Sequence, residues 1–184
     1  MLPYIEMNDY QLDDDKLEEW FHRFKEYTDG TLVRDNRGTS KKITTMYGHN
    51  DQLNDNEELI KLKDETLNRL AEEFLDRYNL CLEYNAIFLI TKPNGVLQWH
   101  CDAAGTQGAP AAAFMYDFRN TERAPTLFNY NNKVHTLKGY KAALINTETL
   151  HMVDNSNHGP RYNFRISLYG DSFENIRDRI LRYY

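Results

Sequence analysis

No run of the sequence approaches the roughly 18 consecutive apolar residues that a membrane-spanning helix needs, so a helical membrane protein is excluded. The opening stretch MLPYIEMNDY lacks the basic start and apolar centre of a secretory signal, and the protein is expected to stay in the cytoplasm. Cysteine is scarce: Cys81 and Cys101 alone exclude a disulfide framework and favour a reduced setting. There is no basic stripe or lysine-rich tail, which argues against a general electrostatic grip on nucleic acid. Internal repeats and low-complexity tracts are absent as well. At 184 residues, the chain has room for one sizeable core, and a single domain over 1–184 is expected.

What is present divides into two halves. Residues 1–80 carry 19 acidic and 11 basic groups, whereas 81–184 carry 9 acidic and 11 basic ones, so the second half is suited to receive an anion. The first half reads as helical. Leu17, Trp20, Phe21 and Phe24 recur at i, i+3, i+4 and i+7 behind the acidic caps at 13–15, the pattern of an amphipathic helix. A second helix is predicted from just after residues 54–56 to about Asn79, through Leu67, Leu70, Ala71, Phe74, Leu75 and Tyr78. The polar stretch at 29–56 reads as a covering or poorly ordered loop with one short strand at most.

From residue 81 the period becomes that of strands. LCLEYNAIFLIT reads as a strand buried on both faces, KPNG as a turn, and VLQWHCD as the partner strand. AAAFMYDF, PTLFNYN, KVHTLK, YKAALINT and RYNFRISLYG are further strands, and FENIRDRILRYY closes the chain as a short amphipathic helix over 172–184. Two helices followed by six or seven strands predict a mainly β fold, an antiparallel sandwich or jelly roll with helices on the outside of one sheet.

Within VLQWHCD, His100 and Asp102 stand two apart. Such a pair is worth little by itself, because 6 histidines and 28 acidic residues in this length give about 0.9 His-x-acid matches by chance. A second match, at His49 and Asp51, lies in the polar loop and reads as surface. On a strand, Gln98, His100 and Asp102 would project to one side, and Leu97, Trp99 and Cys101 to the other, against the helices. Cys101 then reads as a small buried hydrophobe. A mononuclear site needs a third ligand, and two imidazoles with one carboxylate leave three positions of an octahedral Fe(II) open. His22 reads as packing or surface, His135 as structural and His158 as part of a turn. His151 remains, after a Gly-led apolar strand and ahead of Arg161, Arg165 and Ser167 in GPRYNFRISLYG.

WHCD, NTETLHMV and GPRYNFRISLYG, in that order, resemble the Fe(II)- and 2-oxoglutarate-dependent oxygenases, in particular their prolyl-hydroxylase and aspartyl/asparaginyl-hydroxylase branches. The resemblance covers 84–171. It implies a double-stranded β-helix, a cupin-like jelly roll, as the core over 81–171, with the N-terminal helices supporting its major sheet. It also implies His100, Asp102 and His151 as metal ligands, and Arg161 as the residue that holds the far carboxylate of 2-oxoglutarate, with Arg165 and Ser167 lining the pocket or substrate site. Arginine suits that task because its planar fork matches a carboxylate. Thr91 and Lys92 are weaker candidates for co-substrate contact. The implied reaction consumes O2, decarboxylates 2-oxoglutarate to succinate and CO2, and hydroxylates an unactivated C–H of a small-molecule, peptide or protein substrate. Two other readings remain open at this stage: a cupin-type metalloprotein that does not use 2-oxoglutarate, and a non-catalytic β-sandwich binding module. The small-residue stretch DAAGTQGAPAAAF is either a lip over the metal or a plain connection.

Overall fold

The structure is a computed structural model that describes residues 1–27, 31–35, 42–49, 53, 55–102, 108–119 and 125–184. After a short strand β1 (Tyr4–Glu6), helix α1 (Asp14–Tyr27) starts where the acidic cap predicts, with the Lys16 backbone N–H donating to the Asp13 carboxylate at 3.1 Å. Leu17, Phe21 and Phe24 are buried and Trp20 packs at the edge of the same cluster.

The second helix is α2 (Glu57–Lys63), a π-helical turn over Asp64–Asn68, and α3 (Arg69–Arg77). Periodicity alone gave no sign of the wide turn, but its cause is visible in the pattern of burial. Leu59, Lys63, Leu67, Ala71 and Leu75 repeat every four residues, more than the 3.6 of a regular helix, and a π turn limits the drift of that stripe off the sheet. Thr66 assists by donating its hydroxyl to the Leu62 carbonyl. At the start, the Asn56 side chain accepts from the Leu59 N–H at 3.0 Å. Asn56→Ala should therefore lower unfolding free energy by about 1 kcal/mol, read from the denaturant midpoint. An unchanged midpoint would mean that the cap adds nothing to stability.

The strands that follow are β4 (Glu83–Thr91), β5 (Val96–His100), β6 (Ala112–Asp117), β7 (Thr126–Tyr130), β8 (Lys133–Leu137), β9 (Ala142–Asn146), β10 (Leu150–Asp154) and β11 (Arg161–Tyr169), and helix α4 (Phe173–Leu181) closes the chain. Two more strands, β2 (Thr31–Asp35) and β3 (Lys42–Tyr47), lie in the stretch read as loop, so the first half is less purely helical than its composition suggests. The strands form two antiparallel sheets. The larger has the order β1-β9-β6-β11-β4-β3-β2 and the smaller β5-β10-β7-β8. The fold is mainly β with flanking helices, a double-stranded β-helix with the N-terminal helices packed on the larger sheet.

One pairing differs from the sequence reading. β5 is not the partner of β4: the KPNG turn, with Asn94 at φ 55°, carries the chain from the larger sheet to the smaller one, and β4 pairs with β11 and β3 instead. A jelly roll needs such exchanges, because its chain passes repeatedly from one sheet to the other, here at β4–β5, β5–β6, β6–β7, β8–β9, β9–β10 and β10–β11.

Alternation on β4 and β11 sorts the two cores. Ala86, Phe88, Phe164, Ile166 and Leu168 face the helices, where Phe88 meets Phe21 and Phe24 with ring centroids 5.8 and 6.0 Å apart. Ile87 and Leu89 face the space between the sheets, joined by Met115, Phe128, Tyr140 and Ile145. Part of that space is filled by these side chains. Elsewhere it stays open as the cavity described next.

Candidate metal and anion site

The site is assembled by strand pairing. β10 pairs with both β5 and β7, and its register sets His151 opposite His100, with imidazole centroids 4.3 Å apart. Asp102 follows the end of β5 and is fixed by its own backbone N–H, which donates to the Thr147 carbonyl at 2.9 Å. One ligand atom from each of His100, Asp102 and His151 lies within 4.8 Å of the other two.

The ring nitrogens are also sorted. His100 Nδ1 lies 2.6 Å from the Gln98 carbonyl and His151 Nδ1 lies 2.8 Å from the Thr149 carbonyl. A carbonyl can only accept, so each Nδ1 carries the proton when the ring is neutral, and each Nε2 offers a lone pair. Burial, followed by the nearby His100, pushes His151 down to about 4, so this imidazole is neutral at ordinary pH. His100 Nε2 stands 3.4 Å from Asp102 Oδ1. Two lone pairs and a carboxylate oxygen converge, a donor set that fits a divalent cation.

Asp102 has two oxygens with different neighbours. Oδ1 faces the histidines, while Oδ2 accepts from Arg165 Nη2 at 2.5 Å. Arg165 Nε in turn donates to Ser167 Oγ at 3.0 Å. Arg161, four residues earlier on the same face of β11, is buried, and its guanidinium donates to Thr126 Oγ1 at 3.3 Å and to the Tyr140 hydroxyl. Both arginines, the three clustered residues and Ser167 line one cavity of about 150 Å³. Its other wall residues include apolar Ile87, Leu89, Met115 and Ile145. Two buried polar atoms in that wall, Asn163 Nδ2 and Thr44 Oγ1, have no hydrogen-bond partner among the described residues. Thr91 lines the cavity, whereas Lys92 is exposed on the turn.

The expected split of the β5 side chains does not hold. A bulge between the His151–His100 and Val153–Leu97 pairs puts one extra residue into β5, and Leu97 enters the cavity wall with His100 and Asp102. Trp99 is 37% exposed and Cys101 half-buried, because the helices cover the other sheet. His49, read from sequence as surface loop, also lines the cavity. The available signal was the strand before it: alternation on β3 points Thr44 and Met46 inward, and the chain then turns at Gly48, φ +76°. The lip candidate falls partly at 103–107, outside the described residues.

Lys63 braces this corner from behind. Its ammonium donates to the Gly48 carbonyl at 2.8 Å and to Asn85 Oδ1, on the cavity wall, at 3.0 Å. Burial pushes it down from 10.5 to about 8. Between those values the unfolded chain binds more protons than the folded one, so stability rises with pH, by up to about 1.4 kcal/mol per unit. Above about pH 10 the trend reverses, since burial pushes Tyr84 and Tyr116 up to about 12 and the unfolded chain loses those protons first. Unfolding free energies measured from pH 8 to 10 should show the rise, and Lys63→Met should flatten it. The same slope in both proteins would place the titrating group elsewhere.

The Trichoplax adhaerens prolyl hydroxylase, solved with a hypoxia inducible factor peptide fragment, superposes with a TM-score of 0.61 at 11% identity, over 96% of this chain and 86% of its own. Its fold is that of the 2-oxoglutarate- and iron(II)-dependent oxygenases. The same fold is shared with the viral collagen prolyl hydroxylase of Paramecium Bursaria Chlorella virus-1 in its 2-oxoglutarate complex, with a TM-score of 0.54 at 15% identity over 91% of this chain and 96% of the other. The carbocyclase SnoK of nogalamycin biosynthesis gives a TM-score of 0.60 at 9% identity over 90% and 79%. No protein-family model and no curated protein matches the chain. Among the described residues no helix is long and apolar enough to cross a membrane.

Proposed function

We propose that this chain, working as one domain, is an Fe(II)- and 2-oxoglutarate-dependent dioxygenase that hydroxylates an unactivated C–H of an amino-acid, peptide or protein side chain. The observation that carries the reading is the convergence of His100, His151 and Asp102 in the cavity that also holds the buried Arg161. When bound, Fe(II) with 2-oxoglutarate and O2 supplies the oxidation and releases succinate and CO2.

The chain's own residues hold, orient and exclude. His100 Nε2, His151 Nε2 and Asp102 Oδ1 are the metal donors, and the Gln98 and Thr149 carbonyls keep the two rings in the ligating tautomer. Arg161 receives the far carboxylate of the co-substrate. Of the two arginines, Arg165 already touches Asp102, whereas Arg161 stands about 13 Å further along the strand, counted between Cα atoms. A 2-oxo acid chelated at one end reaches away from the metal, so the remote arginine is the one that meets its other end. Thr126 and Tyr140 fix that guanidinium beforehand, which lowers the ordering cost on binding. Ile87, Leu89, Met115 and Ile145 keep the surroundings dry and strengthen these charge contacts.

An anaerobic titration of Fe(II) and 2-oxoglutarate into the metal-free protein tests the reading without any substrate. A weak visible charge-transfer band from the chelated 2-oxo acid is the expected result. Metal uptake without the band would overturn it in favour of a cupin-type protein that makes no use of 2-oxoglutarate.

A further inference from the structure

Arg165 is more than the assignments above require. Its Nε donates to Ser167 and its Nη2 to Asp102 Oδ2, but Nη1 has no hydrogen-bond partner among the described residues. The contact with Asp102 makes no use of that nitrogen, and Arg165 is one of the residues that line the cavity. Asn163 lies between Arg161 and Arg165 on the same face of β11, and its buried Nδ2 is also unpartnered. The wall thus offers donors in excess of acceptors.

Charge gives the same sign. Among the described residues lining the cavity, two arginines face the single carboxylate of Asp102. A divalent metal and a dianionic 2-oxo acid add no net charge together, so among the described lining residues one positive charge remains without a carboxylate partner. A neutral substrate leaves the excess in place, whereas a carboxylate removes it and meets a planar fork that suits it.

Resting on the oxygenase reading, we infer that Arg165 is a specificity residue that receives a carboxylate of the primary substrate, selecting an acid over its neutral amide. The group is held beside the metal by Arg165 while Arg161 keeps the co-substrate. The carboxylate has two sources, the terminus of a free amino acid or the side chain of an acidic residue in a peptide.

The test uses the full chain loaded anaerobically with Fe(II) and 2-oxoglutarate, and reads both melting temperature and the position of the visible band. One probe set is the free amino acids. The other is the N-acetyl amino-acid amides, of which only the aspartate and glutamate members keep a carboxylate. The expected result is a saturable shift confined to carboxylate-bearing probes, weakened about 30-fold in Arg165→Gln and partly restored in Arg165→Lys. Shifts from free acids alone assign a small-molecule substrate, and shifts from the acidic amides assign an acidic peptide. Three outcomes overturn the proposal: neutral amides that bind as well as acids, no carboxylate-bearing probe that binds, or Arg165→Gln that weakens metal or 2-oxoglutarate binding with the probe affinity unchanged. The last would make Arg165 a positioning residue for Asp102 only. Absence of the band in the wild-type protein is a separate failure, which sinks the oxygenase reading and this inference with it.

Discussion

His151→Ala abolishes the visible band at any practical Fe(II) concentration and lowers substrate-dependent 2-oxoglutarate turnover by about 10³-fold or more. The size follows from position. His151 is 4% exposed and is one of the three donors of the proposed metal site, so its removal would leave His100 on β5 and Asp102 just after it, with no donor from β10 to close the triad. Asp102 and His100 then retain an incomplete set whose geometry no longer holds the ion against water. Loss of packing alone would not imitate this. The His151 ring touches Phe128 and His100 at centroid distances of 5.9 and 4.3 Å, so the variant should melt slightly lower yet give an unchanged far-ultraviolet spectrum. A variant that keeps metal affinity within a few-fold of wild type would remove His151 from the site.

Arg161→Gln should raise the 2-oxoglutarate concentration needed for half-maximal band intensity by about 10²- to 10³-fold, as expected when one partner of a buried charge pair is truncated. Turnover at saturating 2-oxoglutarate should fall much less, because the proposed metal ligands lie elsewhere, on β5, just after it and on β10. Tyr140→Phe removes one acceptor from the guanidinium and should have a smaller effect of the same kind, about tenfold, by loss of a hydrogen bond to a charged group. If Arg165→Gln produced the large shift and Arg161→Gln none, the roles of the two arginines would be exchanged.

Much of this site was legible in the chain because it rests on local pattern and order. His100 and Asp102 were distinguished from the equal match at His49 and Asp51 by lying on an apolar strand, and the distal His151 and Arg161 by following in order. The same logic failed where a residue's position depends on partners far away in sequence. Where β2 and β3 stand, one short strand at most was expected, because a polar, Gly-bearing stretch has no apolar alternation; β3 is a strand because β4 offers it an edge, with Thr44 opposite Thr91 and Tyr47 opposite Phe88. His49 reaches the cavity as a consequence of that pairing, next to Gly48, whose carbonyl accepts from Lys63 of α2. The β5 bulge likewise has no local signature, and it moved Leu97 into the wall and Trp99 into solvent.

By itself, the sequence determined the helix starts, through the Asp13 and Asn56 caps, the alternation that puts Phe164, Ile166 and Leu168 on one packing face, and which residues carry the side-chain chemistry that the proposed site calls for. These depend on the residue and its near neighbours. Only the tertiary structure decided that β5 leaves β4 for the opposite sheet, that His151 pairs with His100 across strands, and which arginine touches Asp102. Those facts come from hydrogen bonding between strands and from packing of two sheets around a common space, interactions between segments that are distant along the chain and therefore invisible in any window of it.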